Sequence, residues 1–298
     1  MHQANHDSSI ININGLVING ALQFNVSTKL DTETTARLAR LFKENLEKII
    51  FHCIYKGISE YTIADFGEFE PYILFKKAQK ESNQNRLFLF PPGGGGAESY
   101  FGNVIPKLKN INLIAFNNYY DFLREKKEVN WLQSISYEKL AGNYLSYIKA
   151  IQTKGPYNLF GWSFGGVLTF EVARQLINRG DEVKNIFMVD SFFNYKMALT
   201  ETNINTNEEL NSINCKYAPL QHLETYDSNI VLFKAKKPVD KDKISKYYTE
   251  KTECNHLEFI LKSNSNFRVV HINSDHNGWV DTEDEVIKIC NIILDCTT

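Results

Sequence analysis

The chain has 298 residues, 43% of them apolar and 23% charged, with a net charge of −2. This composition is that of an ordinary globular protein with room for one large α/β domain or two small ones, and it offers no basic face for nucleic acid. The cysteines Cys53, Cys215, Cys254, Cys290 and Cys296 are scattered and form no Cys-x-x-Cys pair, which argues against a disulfide framework or a zinc site and fits a reducing compartment.

In chain order, Met1-His2-Gln3-Ala4-Asn5-His6 lacks the charged-then-apolar pattern of a signal peptide, and no apolar run reaches spanning length. A cytoplasmic protein without membrane contact is the expectation. Leu22, Phe24 and Val26 alternate with polar neighbours behind the turn signal Asn19-Gly20, which predicts a half-buried strand. Asp31 can cap a helix whose apolar positions Leu38, Leu41, Phe42, Leu46 and Ile49 share one face. Residues 1–66 thus read as a unit of their own, too small to bury much core alone. The polar, aperiodic stretch within 67–85 reads as a linker.

From residue 86 onward, short apolar strands alternate with amphipathic helices, which predicts a mostly parallel sheet with crossover helices. The strands are placed at Leu87–Phe90, Asn112–Phe116, Tyr157–Gly161, Lys184–Val189, Ile230–Lys234 and Phe267–Ile272. Helices are placed at roughly 99–108, 135–153, 164–179 and 284–296. In such sheets the site lies at the carboxyl ends of the strands.

One strand end carries chemistry. The apolar run Tyr157-Asn158-Leu159-Phe160 enters Gly161-Trp162-Ser163-Phe164-Gly165-Gly166 and continues into an apolar helix. Gly-x-Ser-x-Gly between strand and helix is the pattern of a nucleophile on a sharp turn, where neighbours two residues away must be small and the helix N-terminus favours a developing oxyanion. The bland alternative is a glycine-rich packing turn with Ser163 as a helix cap.

A serine nucleophile needs a base, and the base an orienting acid. His222, His256, His271 and His276 follow Ser163. His276 lies in a loop after the last strand and before the last helix, where the order Ser…Asp/Glu…His puts the base. His271 lies inside a strand, and surface positions are expected for His222 and His256. Asp190 closes the strand Ile186-Phe187-Met188-Val189 and would lie beside the serine's strand end. Asp240 and Asp242, in a lysine-rich loop after the next strand, are the alternative acids. The turn Phe90-Pro91-Pro92-Gly93-Gly94-Gly95-Gly96 is not completed as a nucleotide loop. Its glycines let backbone N–H groups approach a ligand, so Gly93 and Phe164 are the candidate oxyanion donors.

Taken in order, Phe90-Pro91-Pro92-Gly93, Gly161-Trp162-Ser163-Phe164-Gly165-Gly166, Val189-Asp190-Ser191 and Ser274-Asp275-His276 resemble the thioesterase domains of non-ribosomal peptide synthetases, members of the α/β-hydrolase fold. The resemblance covers residues 86–298. It implies Ser163 as the acyl-accepting nucleophile, His276 as general base then acid, Asp190 as its orienter, and a mobile lid over about 193–226. It further implies a substrate carried on the phosphopantetheine of an acyl or peptidyl carrier protein domain, upstream or in trans, with no cofactor or metal bound. Other synthetase subunits are possible partners, and release proceeds by hydrolysis or cyclisation.

Ile13-Asn14-Gly15-Leu16-Val17-Ile18-Asn19-Gly20, the helix after it and Tyr61-Thr62-Ile63-Ala64-Asp65-Phe66 resemble the tail of a condensation or epimerisation domain of such synthetases. That family's His-His-x-x-x-Asp-Gly motif is absent, so no catalysis is carried onto residues 1–66. No Leu-Gly-Gly-x-Ser carrier motif occurs in the chain either. The rival readings are a type II editing thioesterase and a non-catalytic carrier-docking module.

Overall fold

The computed structural model describes residues 10–18, 21–56, 72–75, 86–93, 101–108, 110–125, 135–204, 206, 212–217, 227–262 and 265–297. It divides into two compact units, Met1–Thr62 and Ile63–Thr298. In the first, β1 (Ile11–Ile18) pairs antiparallel with β2 (Ala21–Thr28), and a long helix, α1 (Thr32–Lys56), follows. Asp31 caps this helix as its sequence predicts, accepting from the Thr34 N–H at 2.8 Å and the Thr34 hydroxyl at 2.6 Å. The Phe24 and Phe42 rings meet edge to face, which fixes one face of α1 on the hairpin. The turn Asn19-Gly20 lies outside the described residues.

The second unit is built on a seven-stranded sheet in the order β3-β5-β4-β6-β7-β8-β9. Its strands are β3 (Tyr72–Phe75), β4 (Arg86–Phe90), β5 (Asn112–Phe116), β6 (Tyr157–Trp162), β7 (Val183–Val189), β8 (Asn229–Ala235) and β9 (Phe267–Ile272). All neighbours pair parallel except β3, which runs antiparallel to β5 at the edge. Part of the segment read as a linker is therefore sheet. Tyr72–Phe75 is a four-residue aromatic-aliphatic run, and its neighbours' polarity masks it.

The strands read as continuous apolar runs because both faces are covered. Successive side chains alternate between the faces, so Phe88 and Phe90 join one core with Tyr144, Leu145, Phe170 and Val172, while Leu87 and Leu89 join the other with Trp279, Val286 and Ile289. On the first face lie α3 (Tyr137–Ile151) and α4 (Phe164–Asn178); on the second lies α8 (Glu283–Thr297). Shorter helices are α2 (Tyr119–Glu125), α5 (Tyr195–Glu201), α6 (Ile213–Lys216) and α7 (Lys243–Lys251). The helix expected over 99–108 is, from Gly102 on, a turn and a 3-10 helix at Ile105–Lys107, where Pro106 has no N–H to continue an α-helix. Among the described residues no helix is long and apolar enough to cross a membrane.

The topology places the site. The chain leaves β4 to build β5 on one side, then returns to build β6 on the other. Between β4 and β6 the connections diverge, opening a crevice at the strands' carboxyl ends. The turn ending in Gly93 follows β4, and Ser163 follows β6.

Candidate active site

Ser163 sits between β6 and α4 at φ 56°, ψ −121°. A side chain at positive φ is strained, by about 1–3 kcal/mol, and persists only where its surroundings impose it. The glycines around it are part of that imposition. A Cβ on Gly161 would collide with the Gly165 carbonyl, and one on Gly165 would collide with the carbonyls of Phe90 and Pro91. The turn is thus wedged between its own helix and the end of β4. Gly165→Ala is expected to cost about 3 kcal/mol of stability, because the obstacle is backbone and cannot rotate away; a urea unfolding curve against wild type measures it.

The Ser163 hydroxyl lies 2.8 Å from His276 Nε2 and donates to it, and His276 Nδ1 donates to Asp190 Oδ2 at 2.7 Å. Asp190 can only accept, so the Nδ1 proton is fixed and Nε2 is left with a lone pair facing the serine. The structure brings together three residues from three strand ends: Ser163 after β6, Asp190 after β7 and His276 after β9. Asp190 is buried and itself adopts φ 42°. Its backbone N–H donates to the Phe233 carbonyl at 2.8 Å, continuing the β7–β8 pairing through the turn. Its Oδ1 accepts from the Ala235 N–H and from Asn255 Nδ2, both at 3.2 Å. Burial pushes the Asp190 carboxyl up, but the His276 hydrogen bond and its charge, then Asn255 and Ala235, outweigh it and hold it below the usual value.

The His276 loop is held from several directions. Trp162 Nε1 donates to the His276 carbonyl at 3.0 Å, and Asp275 Oδ1 accepts from the N–H groups of Asn277 and Gly278 at 2.9 and 2.7 Å. Behind the loop, Glu285 on α8 accepts from the Asn273 N–H at 2.9 Å. The Phe192 ring lies against His276 with centroids 4.7 Å apart and stacks on Tyr248 at 4.2 Å. That aromatic face shields one side of the imidazole from water.

The remaining candidates are not in this chain of contacts. Asp242 caps α7, accepting from the N–H groups of Ile244 and Ser245, and both it and Asp240 are exposed. His271 is exposed on β9. His256 is not the surface residue expected: a left-handed turn at φ 67° tucks it in beside Tyr247 and the Phe193 carbonyl, 3% exposed. His222 lies outside the described residues, as do Gly94, Gly95 and Gly96.

Gly93 and Phe164 are neighbours, since a Cβ on Gly93 would lie 3.7 Å from that of Phe164. Phe164 opens α4, where an N–H has no intrahelical acceptor. The Asn118 side chain donates to the Pro92 carbonyl at 2.9 Å and fixes the turn that presents Gly93. Among the described residues no cluster of His, Cys, Asp and Glu could hold a metal ion.

Residues 85–293 match the thioesterase-domain family. The chain is 30% identical over 299 residues to N-(5-amino-5-carboxypentanoyl)-L-cysteinyl-D-valine synthase of Penicillium rubens, an alignment covering 96% of this chain and 8% of that protein. It is 32% identical over 286 residues to the synthase of the same name from Amycolatopsis lactamdurans, covering 92% of this chain and again 8% of the relative. The chain therefore spans a small part of the length of these curated relatives. Among solved structures, the NocB thioesterase domain in covalent complex with a fluorophosphonate nocardicin G analog aligns with a TM-score of 0.51 and 22% identity, over 76% of this chain and 99% of that one. The type II thioesterase YbtT of the yersiniabactin pathway aligns with a TM-score of 0.53 and 15% identity, also over 76% and 99%. These two likenesses are of fold.

Proposed function

The chain belongs to the thioesterase-domain family, and from that premise we propose that it releases an acyl or peptidyl chain from the phosphopantetheine of a carrier protein through an acyl-serine intermediate, in non-ribosomal peptide biosynthesis. The observation that carries the proposal is the continuous hydrogen-bonded series Ser163–His276–Asp190 at the switch point of the sheet. In this reading His276 Nε2 takes the Ser163 proton as Oγ attacks the thioester carbonyl. The N–H groups of Gly93 and Phe164 hold the oxyanion. The intermediate collapses with cleavage of the carbon–sulfur bond, and His276 returns the proton to the departing thiolate. Water, or a nucleophile on the acyl chain itself, then gives its proton to His276 and attacks the acyl-serine carbonyl; the carbon–oxygen bond to Ser163 breaks and His276 returns the proton to Oγ. A thiolate is a good leaving group, so the protein's main tasks are positioning and oxyanion stabilisation.

Two further assignments follow from this reading. The cover of the acyl channel is assigned to about 193–226, of which 193–204, 206 and 212–217, carrying α5 and α6, are described and the rest lies outside the described residues. Residues 1–66 carry no step of the reaction and are the tail of a neighbouring synthetase domain; the alignment with the Penicillium synthase over 96% of the chain supports their synthetase origin.

The test is mass spectrometry of the intact chain after mixing with acyl-pantetheine thioesters of graded length, with and without a carrier protein. An acyl increment that peptide mapping assigns to Ser163, with release of thiol, is the expected result. Neither adduct nor thiol release at any length, carrier supplied, overturns the proposal in favour of a docking module.

A further inference from the structure

We propose that Lys234 and Asn255 are positioning residues for this reaction, a buried relay that turns the Asn255 amide nitrogen toward Asp190 and so leaves the other carboxylate oxygen to His276. The inference rests on the serine-dependent reading above and names what orients its acid.

Lys234 lies on β8, beside the strand that ends in Asp190, and is 3% exposed. An ammonium has three donors and no acceptor. Those of Lys234 meet three neutral oxygens: the Tyr248 carbonyl at 2.6 Å, Asn255 Oδ1 at 2.8 Å and the Thr252 hydroxyl at 3.3 Å. Among the described residues no carboxylate lies in ion-pair contact with it, and a cation buried in this way is a costly means of filling space that a methionine could fill. Its position is informative because it dictates the orientation of Asn255. The amide oxygen must face the ammonium, so the amide nitrogen faces Asp190 Oδ1, at 3.2 Å. A flipped amide would set its N–H groups against the ammonium and its oxygen against the carboxylate.

Asn255 is fully buried and adopts φ 50°, a left-handed conformation that asparagine tolerates well. With Asn255 Nδ2 and the Ala235 N–H both on Oδ1, the Asp190 carboxylate is held at one oxygen by two donors and bonded to His276 through the other. The result is an unbroken line: Lys234 Nζ, Asn255, Asp190, His276, Ser163. The charged and titratable groups facing Lys234 are Asp190, Cys254, Glu258, Glu253, His256 and, across the strand pair on β9, His271; Asp190 is the one joined to it through a shared side chain. Near Asn255, His256 bonds instead to Tyr247 and the Phe193 carbonyl. Burial draws the Lys234 ammonium below its usual value, with Asp190 acting against that shift.

The test compares full-chain Asn255→Asp and Lys234→Met with wild type and Ser163→Ala in thioester hydrolysis. Asn255→Asp keeps the shape, the left-handed turn and an acceptor for Lys234, but presents an oxygen where Asp190 needs a donor. Lys234→Met frees the amide to flip. For both, kcat is expected to fall about 30-fold with KM within twofold, as for a small misplacement of a reacting group. Because each change adds negative or removes positive charge beside the Asp190–His276 pair, the acid limb of kcat/KM moves up by about one pH unit. Wild-type kcat and an unmoved limb in a folded variant overturn the relay, and so does a loss of rate that follows the loss of folded protein with the limb unmoved. If either substitution prevents folding, Asn255→Gly, which keeps the left-handed backbone and removes the donor without changing charge, is expected to show the same fall in kcat with KM within twofold, and wild-type kcat in that folded variant overturns the relay. Ser163→Ala retaining wild-type turnover would sink the serine-dependent reading instead, so the two failures are told apart.

Discussion

Replacing Ser163 with alanine is expected to lower kcat by about 10⁴-fold or more, leaving only what substrate binding and the oxyanion donors supply. His276 Nε2 would then face a methyl group in place of the hydroxyl that lay 2.8 Å from it, and no other hydroxyl is bonded to it among the described residues. Ser163→Gly should be equally inactive but more stable. The turn at φ 56°, ψ −121° is strained for serine and alanine alike, and glycine relieves it. Offset by the greater freedom of glycine in the unfolded chain, the gain over alanine is expected to be about 1 kcal/mol. Urea unfolding of the two inactive variants side by side checks it. A glycine variant no more stable than the alanine variant would show that the elbow stores no strain, and that its geometry has another cause.

Much of this arrangement was legible in the chain itself, for a physical reason. Strands covered on both faces must be apolar throughout, so runs such as Leu87–Phe90 and Ile186–Val189 declare themselves, and β4 through β9 begin and end within one residue of where their runs suggest. Ser163 was legible because close approach forces glycine at fixed offsets. What was hidden depends on distance in sequence. A lysine that ends an apolar strand reads as the point where the strand meets solvent, yet Lys234 turns inward to a loop reached only after α7. Asn255 and His256 look like ordinary loop residues; their burial follows from two successive left-handed residues that fold the loop under Tyr248. The short helix α7 was hidden among lysines that read as a solvated loop, and its cap, Asp242, was one of the acids weighed for the site. A signal for the relay does exist. A lone lysine inside the predicted core strand of a hydrolase-like sheet, next to the strand that supplies the acid, asks for a buried partner.

The same relay determines what happens when Asp190 becomes asparagine. The new amide has one acceptor and one donor end, and its surroundings choose between them. Ala235 N–H and Asn255 Nδ2 both require an oxygen at the Oδ1 position. The amide nitrogen is therefore forced toward His276 Nδ1, which must then accept rather than donate, and the ring proton moves to Nε2. An Nε2–H pointing at Ser163 cannot take a proton from it. Asp190→Asn is thus expected to lower kcat by about 10⁴-fold through the wrong tautomer, with little change in KM. Asparagine tolerates φ 42°, so backbone strain does not confuse the result. Stability supplies an independent readout. Asp190 is held below the ordinary carboxylate value of 3.8, so its stabilising contribution is fully present above that pH and is lost as pH falls through the folded value. The stability advantage of wild type over Asp190→Asn in denaturant unfolding should accordingly hold at neutral pH and shrink as the pH is lowered below 3.8. A gap that stays constant with pH would mean that the carboxylate is not held as an anion by His276, Asn255 and Ala235, and the orienting role assigned to Asp190 would fall with it.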